Sequence, residues 1–370
     1  MKNIPEIIGK ELARRGVISF ARFMELALYC PNSGYYEQPD SAPGQRGDFY
    51  TSVSVGDFFG ELLARQFTLW LDELPLGQPQ LVEAGAHNGR LAGDILGWFQ
   101  KYQAQKLESL KYWIVEPSPT RRKSQAGELG DLARHVEWFE SWTTVPSTGV
   151  HGVIFSNELL DAMPAHRLGW DAARKRWFEW GVAVRDGSFV WMRMPEDQQF
   201  NLESSEFGEY WLEMTKGLME VLPDGFVTEI SPAAIEWWRQ AGRRLKQGRL
   251  VTIDYGLTAE EFFRPGRSRG TLRGYYRHHP TDDLLTHAGE QDLTAHVNLS
   301  LIKQAGEDEG LQTEALITQS RFLTQILEKS MNAPAPINLT SARVRQFQTL
   351  THPEHLGQLF RVLIQSRLPR

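Results

Sequence analysis

The stretch Leu81-Val82-Glu83-Ala84-Gly85-Ala86-His87-Asn88-Gly89-Arg90-Leu91 decides the fold. An apolar run enters a turn bounded by two glycines and leaves it as a predicted helix over 91–102. That layout sets bare backbone at the carboxyl end of a strand, where open α/β sheets bind their ligands. The next predicted strand, Lys111-Tyr112-Trp113-Ile114-Val115-Glu116, ends in an acid 31 residues after Gly85. A carboxylate there accepts hydrogen bonds from both hydroxyls of a ribose. The pair therefore points to an adenosine-containing cofactor.

Outward from this unit, strand and helix signals alternate over 80–84, 91–102, 111–116, 118–128, 135–139 and 150–155. This is the βαβα pattern of a parallel sheet covered by helices on both faces. Before it, 3–30 has helical spacing, 31–46 is irregular, and an amphipathic helix is predicted over 55–74. After Pro164 the texture changes. Residues 166–194 alternate as short strands around an Asp186-Gly187 turn, an antiparallel excursion. A helix near 205–220 follows, then a helix over 232–246 and a strand over 250–254. The segments 311–319 and 360–366 are both strand-like and predict a terminal antiparallel pair, read as a hairpin.

The chain has 370 residues, 41% hydrophobic and 23% charged, the composition of a globular protein. Its formal charge of −6 offers no basic face for nucleic acid. Cys30 is the one cysteine, which excludes an internal disulfide and a cysteine zinc cage. No apolar run reaches the ~20 residues of a spanning helix, and no signal peptide is evident. These observations set a cytoplasmic location without membrane insertion as the expectation. The tryptophans of the excursion suit an interface, and a homodimer is one use of it.

Two cofactor classes fit the strand–turn–helix unit. A nicotinamide dinucleotide needs G-x-G-x-x-G, because the middle glycine admits the pyrophosphate. This chain has His87 in the middle and the spacing Gly85-x-x-x-Gly89. S-adenosylmethionine carries no phosphate and needs only room for its amino-acid end, which Glu83 can serve through the ammonium group. An NAD-dependent oxidoreductase is thus the weaker alternative.

Separated segments then resemble one family, the MidA-like methyltransferases. They are FMELALYCPNSGYY (23–36), GDFYTS (47–52), FFGELLARQF (58–67) and LVEAGAHNGRLAGDIL (81–96). SNELLDAMPAHRL (156–168), TIDYG (252–256), TLRGYYRHH (271–279) and GEQDLTAHVN (289–298) follow in the family's order. The resemblance implies an α/β fold: a seven-stranded Rossmann-like methyltransferase sheet with an N-terminal helical cover and an inserted antiparallel substrate lobe. On that layout 1–78 is the cover, 79–166 and 246–370 form the core, and 167–245 is the lobe. It also implies S-adenosyl-L-methionine as cofactor and a protein substrate, arginine being the acceptor of the family's mitochondrial branch. The chain departs from the family's G-P-G-x-G turn at His87. A non-catalytic assembly factor retaining the fold is the second alternative.

The expected site follows from these segments. Glu83, Gly85, His87, Gly89 and Glu116 face the cofactor, and Asp48, Thr51 and Ser52 fold over its polar end or cap the helix that follows. Asn157, Glu158 and Asp161 follow the 150–155 strand. Glu158 and Asp161, spaced i, i+3, share a face on a helical turn and can grip a guanidinium; otherwise Asn157 caps a helix and the acids are solvated. Tyr255, His278 and His296 are expected at the substrate. The spacing of His278, His279, His287 and His296 is not a zinc pattern, and no metal is expected.

Overall fold

The computed structural model describes residues 3–38, 51–75, 77–277, 279–331, 333 and 337–368. Its central sheet runs Gln312–Thr318, Phe360–Arg367, Leu245–Leu257, Val150–Asn157, Gln80–Ala84, Lys111–Val115, Val136–Phe139. Neighbours pair in parallel except at Phe360–Arg367, which is antiparallel to both of its neighbours. Each of these lies at a predicted strand position, but the sheet has eight strands rather than the expected seven. An eighth, the two-residue Val297–Asn298, pairs with the carboxyl end of Leu245–Leu257.

Every residue of Gln80–Ala84 is buried, as a parallel strand covered on both faces requires. Successive side chains point to opposite faces, so Leu81 joins one hydrophobic core and Val82 another. Chain connections leave Gln80–Ala84 and Val150–Asn157 in opposite directions along the sheet. Their shared carboxyl end is the switch point at which such sheets open a crevice.

The excursion forms a second, five-stranded antiparallel sheet from His166–Asp171, Arg176–Arg185, Ser188–Arg193, Val227–Ile230 and the two-residue strand Ile18–Ser19. The Asp186-Gly187 turn forms with both residues left-handed, φ 51° and 75°, the type I′ geometry that suits strand twist. A third sheet of Arg273–Tyr276, His279–Thr281 and Asp292–Thr294 carries Asp292 toward the crevice.

Three sequence expectations change in detail. The helical stretch 3–30 is two helices, Ile4–Arg15 and Phe20–Tyr29, broken at Gly16 with φ 76°. Ser19 restarts the second by accepting from Arg22 N. The helix expected over 55–74 begins as a short turn, Ser52–Val55, and resumes as Phe58–Asp72. The two C-terminal strands pair antiparallel, yet helices Gln319–Met331 and Ser341–Thr351 separate them, so they are no hairpin.

Candidate active site

A cavity of ≈ 660 Å³ lies over the carboxyl ends of Gln80–Ala84, Lys111–Val115 and Val150–Asn157. That is within the ~300–1,000 Å³ of small-molecule sites. Tyr29, at the end of helix Phe20–Tyr29, and Tyr36 line it as well.

Gly85, Ala86, His87 and Asn88 of the glycine turn line the cavity, whereas Gly89 does not. Gly85, His87 and Gly89 take φ of 70°, 47° and 90°. A Cβ on Gly85 would stand 2.7 Å from Leu159 Cδ1, which would have to shift, and the φ of 70° favours glycine in any case. His87 adopts the same left-handed region at a penalty of roughly 1–2 kcal/mol that glycine would not incur. The bond from Gly89 N to Ala86 O, 2.7 Å, closes the turn before helix Arg90–Tyr102.

Glu83 is 3% exposed and accepts from the Tyr112 hydroxyl at 2.6 Å. Burial pushes its carboxyl up to about 7, against the lowering effect of that hydroxyl. Glu116 is held by Ser118 N on Oε1 at 3.0 Å and by Gln125 Nε2 on Oε2 at 3.2 Å. Burial raises its carboxyl as well, opposed by Arg121 and these donors. Each of these bonds leaves acceptor capacity on its oxygen. The strand-end carboxylate, the turn cleared by Gly85 and the buried Glu83 fit a ribose, an amino-acid end and its ammonium respectively.

The other end of the cavity is acidic. Asn157 ends its strand, and no helix follows; residues 158–163 form irregular turns. The helical reading of Glu158 and Asp161 is therefore corrected, although both still line the cavity. Asp254 accounts for the loop's path, its Oδ2 accepting from Leu159 N at 3.2 Å and Leu160 N at 2.8 Å. Glu158 itself has φ 52°, a strained value of the kind that clusters at functional sites. Its Oε1 accepts from Asn157 Nδ2 at 2.8 Å and Ser52 N at 3.2 Å. Asp292 joins from the third sheet and accepts from the Tyr36 hydroxyl at 2.7 Å.

Burial pushes Glu158 up to about 8, with Asp254 and Asp292 adding repulsion. Asp161 is raised well above the usual range by burial, then by Asp254, Glu158 and Asp292. Asp254 is pushed up to about 7 by its burial. Neutral or cation-paired, these acids are stable; ionised together, they repel. Among the described residues no group of three or more His, Cys, Asp or Glu is arranged to hold a metal ion.

Other expected residues fall in different places. Thr51 lines the cavity, and its side chain caps Ser52–Val55. The Ser52 hydroxyl turns away to Gln319 Oε1 at 3.1 Å, leaving only its backbone amide at the site. Tyr255 lines the cavity, packed against Phe360 with ring centroids 4.1 Å apart. His296 stands behind Tyr255, stacked at 6.1 Å, and borders a separate small cavity. Burial holds its imidazole down to about 4, hence neutral. Asp48 and His278 lie outside the described residues. Tyr112, Gln125, Asp254 and Asp292 escaped sequence reasoning as site residues. Asp254 alone carried a usable signal, as an acid near a strand's carboxyl end.

The profile of a family described as S-adenosyl-L-methionine-dependent methyltransferases matches residues 62–317. A Burkholderia thailandensis protein crystallised with S-adenosyl-homocysteine superposes with a TM-score of 0.83 at 31% identity, covering 98% of this chain and 92% of that one. The mitochondrial protein arginine methyltransferase NDUFAF7 of Xenopus laevis is 25% identical over 95% of this chain and 82% of its own. Its human counterpart is 26% identical over 93% and 79%. The cofactor is S-adenosyl-L-methionine, and the nicotinamide alternative is dropped. The expected cytoplasmic location is corrected, because these curated relatives are named as mitochondrial proteins. No helix among the described residues is long and apolar enough to cross a membrane.

Proposed function

The chain belongs to this family of S-adenosyl-L-methionine-dependent methyltransferases, and on that premise we propose that its acceptor is an arginine side chain of a protein. One observation carries the reading: half-buried Glu158 and buried Asp161 and Asp292 line one end of the cofactor's cavity and repel one another. A guanidinium relieves that repulsion and offers several N–H donors in a planar fork. The relatives named as protein arginine methyltransferases support the same acceptor.

The bound cofactor supplies a methyl group on a sulfonium, a strong electrophile. The protein's task is alignment and exclusion of water. Glu116, Glu83 and the Gly85–Gly89 turn hold the nucleoside and amino-acid ends. Glu158 and Asp161 fix the guanidinium, and Asn157 and Ser52 N hold the Glu158 carboxyl in place. The methylated nitrogen sheds one proton, and a carboxylate with a raised pKa is a suitable recipient at neutral pH. Tyr29 and Tyr36 shield the site, with the Tyr29 hydroxyl bonded to Ala162 O at 2.8 Å.

The test uses protein substrates from a lysate whose strain lacks this gene, incubated with the protein and methyl-labelled S-adenosyl-L-methionine. Prior modification of arginine by a dicarbonyl reagent should abolish labelling, and prior acetylation of lysine should leave it intact. The reverse pattern overturns the proposal.

A further inference from the structure

We infer that Gln125 is a positioning residue for the cofactor, holding the glycine turn and Glu116 in one register and offsetting the absence of glycine at position 87. Gln125 is fully buried on helix Pro119–Leu129 and does not itself line the cavity. Its side-chain nitrogen donates to His87 O at 3.0 Å and to Glu116 Oε2 at 3.2 Å. Its side-chain oxygen accepts from Trp138 Nε1 at 2.9 Å. All three partners are specific to this amide orientation. A flipped amide would set oxygen against two acceptors and nitrogen against a donor.

The backbone of Gln125 also limits the turn, since a Cβ on Gly89 would stand 3.2 Å from Gln125 Cα. One residue therefore touches the turn's carbonyl, the far glycine and the carboxylate at the next strand end. The link bears directly on His87. A histidine at φ 47° is held against its own preference, because a left-handed conformation is easy only for glycine. The amide anchoring its carbonyl favours that conformation. It simultaneously orients Glu116 for the ribose, so the two halves of the cofactor cradle move together or not at all. This inference rests on the cofactor reading above.

The test is calorimetric titration of the full-length protein with S-adenosylhomocysteine, run on wild type, Q125A, H87G and H87G/Q125A well below their melting temperatures. Losing the amide should weaken Q125A by about tenfold, as expected for buried bonds to a carbonyl and a carboxylate. With glycine at 87 the turn needs no anchor, so Q125A should weaken H87G distinctly less than it weakens wild type. A purely structural glutamine would lower the melting temperature and leave affinity in the folded state unchanged; that result overturns the inference while the cofactor reading stands. An equal loss in both backgrounds overturns the compensation for His87. Absence of binding by the wild type overturns the cofactor reading and this inference with it. If Q125A does not fold, the double variant decides: it should fold and bind, and its failure contradicts the account.

Discussion

Ser52 donates its backbone N–H to Oε1 of Glu158 at 3.2 Å, across 106 positions of sequence. The short helical turn Ser52–Val55 thus anchors the carboxylate at the acidic end of the cavity. Glutamine at 158 retains an oxygen for this bond and for Asn157, so the loop should keep its path. What E158Q loses is charge and a proton acceptor. We expect methylation to fall by roughly 10²- to 10⁴-fold, with S-adenosylhomocysteine affinity largely retained. Steady-state rates beside calorimetry check this, and full activity in E158Q refutes the role.

The raised carboxyls make stability depend on pH. Glu158, Glu83 and Asp254 have folded values of about 8, 7 and 7, above the ordinary carboxylate range. Between the unfolded and folded values the native state binds more protons than the unfolded state, so stability falls as pH rises. The ligand-free protein should therefore lose stability from about pH 4 to pH 8, and E158Q should flatten the upper part of that slope. Denaturant midpoints across the range test it; a flat or rising profile argues against these environments.

Binding of a cationic acceptor should draw protons out of the same cluster. An arginine peptide titrated near pH 7 into protein loaded with S-adenosylhomocysteine should release protons, seen as heats that depend on the buffer's ionisation enthalpy. E158Q should release fewer. Equal heats in all buffers would count against the cluster as the guanidinium site.

Glu116 and Glu83 should separate cleanly. E116A removes a carboxylate placed for the ribose, and cofactor affinity should drop by about 10- to 100-fold, the worth of hydrogen bonds to a charged group. Y112F instead strips the buried Glu83 of its hydroxyl donor and should destabilise the fold by about 1–3 kcal/mol. Titration and urea unfolding on both variants distinguish the two effects.

The cofactor half of the site was legible because it is local. Gly85, Gly89 and Glu116 sit in one βαβ unit, and spacing alone proposed all three; Gly85 and Glu116 line the cavity. His87 stood out as a departure, but only its φ of 47° reveals what the departure entails. The acceptor half was legible in part. Glu158 and Asp161 could be placed at a strand's end, yet the helical turn invoked for them is absent, because Asp254 captures Leu159 N and Leu160 N instead. Asp292 arrives from a small sheet far along the chain, and no periodicity announces such a meeting. Gln125 was hidden for another reason: a glutamine inside a predominantly polar helix reads as solvated until tertiary packing buries it. The lobe strands were visible as alternation, whereas the pairing of Ile18–Ser19 with Arg176–Arg185 depends on a break at Gly16 whose consequence is non-local.

The most direct measurement is the identity of the methylated atom. Protein labelled by this chain from methyl-labelled S-adenosyl-L-methionine, hydrolysed and resolved by mass spectrometry, should carry the methyl on an arginine side-chain nitrogen, and E158Q should strongly reduce that signal. Label on lysine, on a carboxylate or on a non-protein acceptor, at a rate indifferent to Glu158, would contradict the account.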